Sequence, residues 1–176
     1  MANREALREL QTRLATRLQA ARTEPRQASW LAVECAGHGL LFPLASAGEI
    51  FSVGTVLPVP HTAPWFVGVA NLRGGLHGVV DLAAFLGLRP TPRSQEGVHD
   101  AARLLALNPG LGGQCALLVE RLAGLRNADM LTAQADDNAT RPAFAGPRWR
   151  DADGRLWQEI DLAALSNNEQ FLGISA

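Results

Sequence analysis

The feature that most restricts the fold is a repeat. "FVGVANLRGGLHGVVDLAAFL" (66–86) and "FAGPRWRDADGRLWQEIDLAAL" (144–165) align Phe66 with Phe144, Gly68 with Gly146, and the "DLAA" at Asp81 with the "DLAA" at Asp161. The second copy needs only two more residues, both in its turn. Each copy spells strand, tight turn, strand, then an acidic residue opening one helical turn. A carboxylate there caps free backbone N–H groups, so Asp81 and Asp161 are predicted to be helix caps in preference to a catalytic pair. A unit met twice in one chain predicts two similar small β-lobes.

From Trp30 onward, short apolar runs alternate with turn signals, which predicts an all-β domain. "WLAVECA" and "LLFPL" form a first hairpin around "GHG". "FVGVANL" and "LHGVVDL" form a second around "RGG", and "ARLLALN" and "QCALLVERL" a third around "PGLGG". "ASAGEIFSV" is a short polar-to-apolar patch. "TVLPVPHTAP" carries too much proline for a central strand and is predicted to be an edge or connector. "LAAFLG" is a helical turn ended by Gly87, "RPTPRSQEGVHD" a surface loop, and "ADMLTAQADDNATRPAF" a long polar connection.

Residues 1–28 differ in texture and are predicted to be an amphipathic helix with its linker, ahead of the domain at 29–176. Leu7, Leu10, Leu14 and Leu18 recur at helical spacing, and Pro25 ends the pattern. Six Arg and three Glu make the segment basic. The stripe either packs on the domain's own core or docks another protein. Glu5, Glu9 and Glu24 count against a mitochondrial presequence.

Several function classes are excluded by what the chain lacks. A net charge of −1 argues against nucleic-acid binding. Cys35 and Cys115 lie in apolar strand-like runs, as small buried hydrophobes do, and make no disulfide framework or zinc site. No apolar run reaches membrane-spanning length, which predicts a soluble, cytoplasmic protein without membrane insertion. His38, His61, His77 and His99 are scattered, and "DADG" at 151–154 lacks the later ligands of a calcium loop. Nothing resembles a nucleophile elbow, a phosphate loop or a dinucleotide fingerprint. The expectation is a non-enzyme with no cofactor and no metal.

What remains is a surface. Arg73 and Asn71 sit at or beside a turn held by two apolar strands, with Gly74 and Gly75 leaving open backbone around a planar, five-donor head group. Arg73 is either an anchor for protein recognition or a side chain that solvates its turn.

At these residues the chain resembles the CheW-like domain family. "FVGVANLRG" followed by "GVVDLAAFLG" is similar to that family's most specific block. "HGLLFPLASAGEI" resembles its second strand and "E-I" element, "ALLVERL" a later strand, and "LWQEIDLAAL" the closing strand and helix. The Arg-rich start and the tail "NNEQFLGISA" are similar to adaptors of type IV pilus (twitching) chemosensory systems. The resemblance implies a mainly β fold of two five-stranded SH3-like barrels about a common core. It implies a non-catalytic adaptor that couples the cytoplasmic tips of methyl-accepting chemoreceptors to a CheA-type histidine kinase in membrane-associated arrays. By match to the motif, Glu49, Ile50, Gly68, Asn71, Arg73 and Gly74 are the partner-binding candidates. The chain departs from the pattern at Ala47 and Gly48, at Gly75 and His77, and at Trp149 with "RDADG". An alternative is a small-molecule binding module using the cleft between the lobes, with His77 and Arg73 as ligand contacts.

Overall fold

The computed structural model describes residues 29–89, 100–135 and 140–175. The N-terminal helix expected at 1–28, His99 and most of the loop expected at 89–100 lie outside the described residues. Among the described residues, eleven strands make the fold: β1 Ser29–Cys35, β2 His38–Pro43, β3 Ala47–Ser52, β4 Phe66–Leu72, β5 Gly75–Asp81, β6 Arg103–Leu107, β7 Cys115–Val119, β8 Arg121–Asn127, β9 Leu131–Ala133, β10 Ala145–Asp151 and β11 Leu156–Ile160. Short helices α1 Leu82–Phe85, α2 Leu162–Ser166 and α3 Glu169–Leu172 follow the second and last hairpins.

Two sheets carry the same pairing plan. The five-stranded sheet runs β3-β6-β7-β5-β4 and the six-stranded one β8-β1-β2-β11-β10-β9. In both, antiparallel pairs flank a single parallel pair, β5 with β7 in the first and β2 with β11 in the second. Each sheet also curls towards closure through the segment after its first edge strand. Leu57 pairs with Val69 of β4 through two 2.8 Å hydrogen bonds, and β9 pairs with β10. The lobes are not consecutive in the chain. Strands β3–β7 form lobe 1, whereas lobe 2 is built from β8–β11 and completed by β1 and β2 from the start of the domain.

The repeat is the visible half of this symmetry. Asp81 Oδ1 accepts from Ala84 N at 3.2 Å, and Asp161 Oδ1 accepts from Ala163 and Ala164 N at 2.9 and 3.0 Å. Both aspartates are the expected N-caps, with nearly the same backbone angles. Both hairpins also carry a bulge in their first strand, after Phe66 and after Ala145, which is where Gly68 and Gly146 fall.

The central strands are apolar without strict alternation because both of their faces are buried. On β1, Leu31, Val33 and Cys35 enter a core shared by the lobes, while Trp30 and Ala32 fill the interior of lobe 2. On β7, Leu117 and Val119 enter the shared core, while Ala116 and Leu118 fill lobe 1. The shared core is centred on Phe85, which meets Trp65 edge-on at 5.1 Å, Phe171 at 5.3 Å and Phe144 at 5.9 Å. Contacts of this kind add about 0.5–1.5 kcal/mol each beyond their area. An ionic chain runs beside them. Buried Asp81 pairs with Arg89, Arg89 reaches Glu120 at 3.1 Å, and the Glu120 N–H donates to the Glu34 carbonyl of lobe 2 at 3.0 Å.

Three expectations need correction. The first hairpin turns at Ala36–Gly37, so His38 belongs to β2. The third hairpin ends at Val119, and "RLAGLRN" is a separate strand, β8. As an edge strand with exposed or half-buried residues throughout and Gly124 at φ 89°, β8 carries no apolar pattern to announce it. The polar connection after it contains β9, a short strand in which only Leu131 is buried.

Candidate functional site

The site is built from the β4–β5 hairpin and β3 of lobe 1. Arg73 and Gly74 form the turn with φ of 50° and 83°, the double left-handed geometry that suits the twist of a two-residue hairpin. Glycine adopts this freely; an arginine is held there at a cost of about 1–2 kcal/mol. Asn71 fixes the turn, its side-chain oxygen accepting from Gly74 N at 2.8 Å.

Strand β3 brings the partner for Arg73. Between Ala47 and Ile50 the strand holds one residue more than β6 opposite, a bulge that leaves both Glu49 and Ile50 facing solvent. Gly48 permits it, since a Cβ there would lie 2.5 Å from the Ala106 carbonyl oxygen. Arg73 Nη1 then donates to Glu49 Oε1 at 2.9 Å, joining side chains 24 residues apart that remain 75% and 52% exposed. An exposed pair of this kind adds at most about 1 kcal/mol to stability. A shallow groove of about 330 Å³ lies beside it, lined by Ile50, Ser52, Thr55, Asn71 and Arg73 among others.

Five of the six candidates thus share one surface: Glu49, Ile50, Asn71, Arg73 and Gly74. Gly68 does not join them. It is buried under the backbone of Leu57 with φ of 142°, where it lets the barrel close. The sequence reading missed Leu76, which faces Asn71 across the hairpin and is 61% exposed. Its signal was an apolar residue directly after the turn, on the face that carries Val80 into the shared core but beyond that core's edge.

The contacts expected for a ligand between the lobes are not there. The interlobe groove, about 740 Å³, is bounded by α1, the β1–β2 turn and the β10–β11 hairpin, and neither His77 nor Arg73 lines it. His77 Nδ1 lies 3.0 Å from the Gly75 carbonyl oxygen, a contact made by the Nδ1-protonated tautomer. Among the described residues no cluster of His, Cys, Asp and Glu has the arrangement of a metal site, and no helix is long and apolar enough to cross a membrane. Burial pushes the thiols of Cys35 and Cys115 up to about 12, so neither is a thiolate near neutral pH.

Comparison with known proteins agrees with this architecture. The family model described as the CheW-like domain matches residues 29–170. The chain is 25% identical over 167 residues to Protein PilI of Pseudomonas aeruginosa, covering 93% of this chain and 89% of that protein. Its fold is similar to the crystal structure of the scaffolding protein TtCheW from Thermoanaerobacter tengcongensis. That match has a TM-score of 0.64 at 18% identity and covers 80% of this chain and 88% of that one.

Proposed function

The chain belongs to the CheW-like domain family, and on that premise we propose that it is a non-catalytic adaptor linking the cytoplasmic tips of methyl-accepting chemoreceptors to a CheA-type histidine kinase. The similarity to Protein PilI supports placing it in a system that controls type IV pilus (twitching) motility, in the cytoplasm and recruited to receptor arrays. Its working unit is the domain from residue 29 onward.

The observation that carries this reading is the Glu49–Arg73 pair. Two exposed, opposite charges are held by a bulge and a left-handed turn, devices that serve orientation and add little to folding. Ile50, next to Glu49 in the bulge, and Leu76, opposite Asn71 in the hairpin that carries Arg73, leave apolar surface, 43% and 61% exposed. Protein interfaces combine such parts, with an arginine anchor among apolar contacts.

Titration calorimetry of purified receptor-tip and kinase regulatory fragments against the wild type, Glu49→Arg, Arg73→Glu and the double exchange tests it. Each single reversal should weaken at least one partner by about 2 kcal/mol or more while costing the fold only about 1 kcal/mol, a shift of a few degrees in the thermal melt. The double exchange then shows whether the pair acts as a unit, by restoring part of the loss. Unchanged affinity of both single variants for both partners refutes the assignment of this surface.

A further inference from the structure

We propose that the groove between β3 and β4 of lobe 1 receives an extended segment of a partner protein, which adds to the free edge of β4 as a strand. The inference rests on the reading that this surface binds a partner, and it names the kind of segment that enters.

The two lobes differ at this edge. Gly78 and Gln158 each stand three residues before a capping aspartate, and they face Val69 and Arg148 across their hairpins. Val69 therefore corresponds to Arg148, and Asn71 to Arg150. Outside each hairpin a ladder starts at the same place. Val69 exchanges two 2.8 Å hydrogen bonds with Leu57, and the Arg148 carbonyl accepts from Gln134 N at 2.9 Å. In lobe 2 the ladder continues, with Arg150 paired to Thr132 of β9. In lobe 1 it stops. Asn71 lies two residues beyond Val69, so its main-chain N–H and C=O point to the same edge. Thr55 stands in the place of Thr132, and among the described residues no backbone hydrogen bond joins it to Asn71.

The groove of about 330 Å³ opens at this interruption, lined by Gly54 and Thr55 as well as by Asn71 and Arg73. Another wall is β3, the outermost strand of its sheet, whose unpaired edge also carries main-chain donors and acceptors. Ala70 and Leu72, buried members of the lobe 1 interior, reach the groove and make its floor apolar.

These features select the occupant. A helix spends its main-chain groups on its own hydrogen bonds and would leave those of Asn71 unmatched. An extended segment pairs with Asn71 as β9 pairs with Arg150, and its side chains alternate between the two faces of the sheet. The residue opposite Asn71 shares the outer face with Asn71 and exposed Leu76, while its neighbours lie over Ala70 and Leu72. The segment is therefore apolar at alternate positions, with no proline opposite Asn71, where an N–H is needed. A second copy of this chain is disfavoured, because the β3 bulge and the exposed Glu49–Arg73 pair blunt the edge against a long flat strand.

Amide exchange of the isotope-labelled 176-residue chain, followed by NMR, tests the proposal with the purified receptor-tip and kinase regulatory fragments as probes. The Asn71 amide should exchange fast in the free chain and slow by about tenfold or more when one of the fragments saturates it. An added Cβ at Gly54 meets nothing within 4 Å, so Gly54→Trp places an indole at the groove while leaving Glu49 and Arg73 intact. It should weaken that fragment about tenfold or more, whereas Gly54→Ser should bind like the wild type. Slow exchange of Asn71 in the free chain overturns the proposal by assigning the edge to the chain itself, and slowing with the chain's own concentration does so by assigning it to a second copy. An Asn71 amide that neither fragment slows, or a Gly54→Trp variant with wild-type affinity, overturns it as well. In that case a loss of affinity in Arg73→Glu keeps this surface as a contact made by side chains, so the adaptor reading survives; binding of neither fragment refutes both.

Discussion

Replacing Gly68 with alanine separates barrel closure from the exposed Arg73 turn within one sequence motif. Gly68 has φ of 142°, a conformation that side-chain-bearing residues rarely adopt, and an added Cβ would lie 2.7 Å from the Leu57 carbonyl carbon and 2.9 Å from Pro58 Cα. Both neighbours are backbone, so no side chain can swing aside. The strain of such a residue is about 1–3 kcal/mol. Relieving the overlap pushes Leu57 off β4 and sacrifices its two 2.8 Å hydrogen bonds with Val69, each contributing about 0.5–1.5 kcal/mol net. Together these put the loss at about 2–6 kcal/mol, a fall in Tm on the order of 10 °C for a chain of this size. Gly74→Ala is the control. Its φ is also positive, at 83°, but nothing lies within 4 Å of the added Cβ, so only the left-handed strain of about 1–2 kcal/mol applies. Urea unfolding followed by tryptophan fluorescence measures both. If Gly68→Ala unfolds at the same urea concentration as Gly74→Ala, the close approach of Leu57 is not what requires glycine at 68, and the account of barrel closure is wrong.

Other consequences can be measured on the same protein. Asp81→Ala removes a cap and the buried one of the two carboxylates that pair with Arg89, leaving it Glu120, so it should cost about 3 kcal/mol, whereas Asp161→Ala loses only its exposed cap, about 0.5–2 kcal/mol; similar losses in urea titrations would contradict the ionic seam. The hydrogen bond from the Trp157 indole, working against burial, holds the Asp151 carboxyl below its ordinary 3.8. Because the folded value is the lower one, the stabilisation from Asp151 is present above the unfolded value and is lost as pH falls through the folded value. Asp151→Ala should therefore lower stability by about 1–3 kcal/mol at neutral pH and flatten the acid limb of the stability curve; an unchanged acid limb would rule this out. Cys35 and Cys115 should resist a disulfide reagent at pH 8 until the protein is unfolded, and fast reaction of either in the native state would show the cores to be open.

The sequence by itself determined the local units and their number. Two copies of hairpin plus capped turn were legible because a turn glycine, a capping aspartate and apolar strand runs act over a few residues, and Asp81 and Asp161 cap as their spacing requires. The block around Arg73 was legible for the same reason, as a rigid turn bearing an exposed charge. Tertiary structure decided what these units meet. That β1 and β2 leave their own neighbours to complete the lobe of β8–β11 follows from burying both faces of the central strands, a requirement that no short stretch expresses. Edge strand β8 escaped notice because it buries little and so carries no apolar period. Gly68 belonged to the same motif as Arg73, yet the packing of Leu57 against it assigns it to barrel closure, while a bulge in β3, itself silent in the sequence, delivers Glu49 to Arg73. Local chemistry sets which shapes a segment can take; the pairing of distant segments decides which side chains share a surface, because contacts between them form only when the two lobes close on one core.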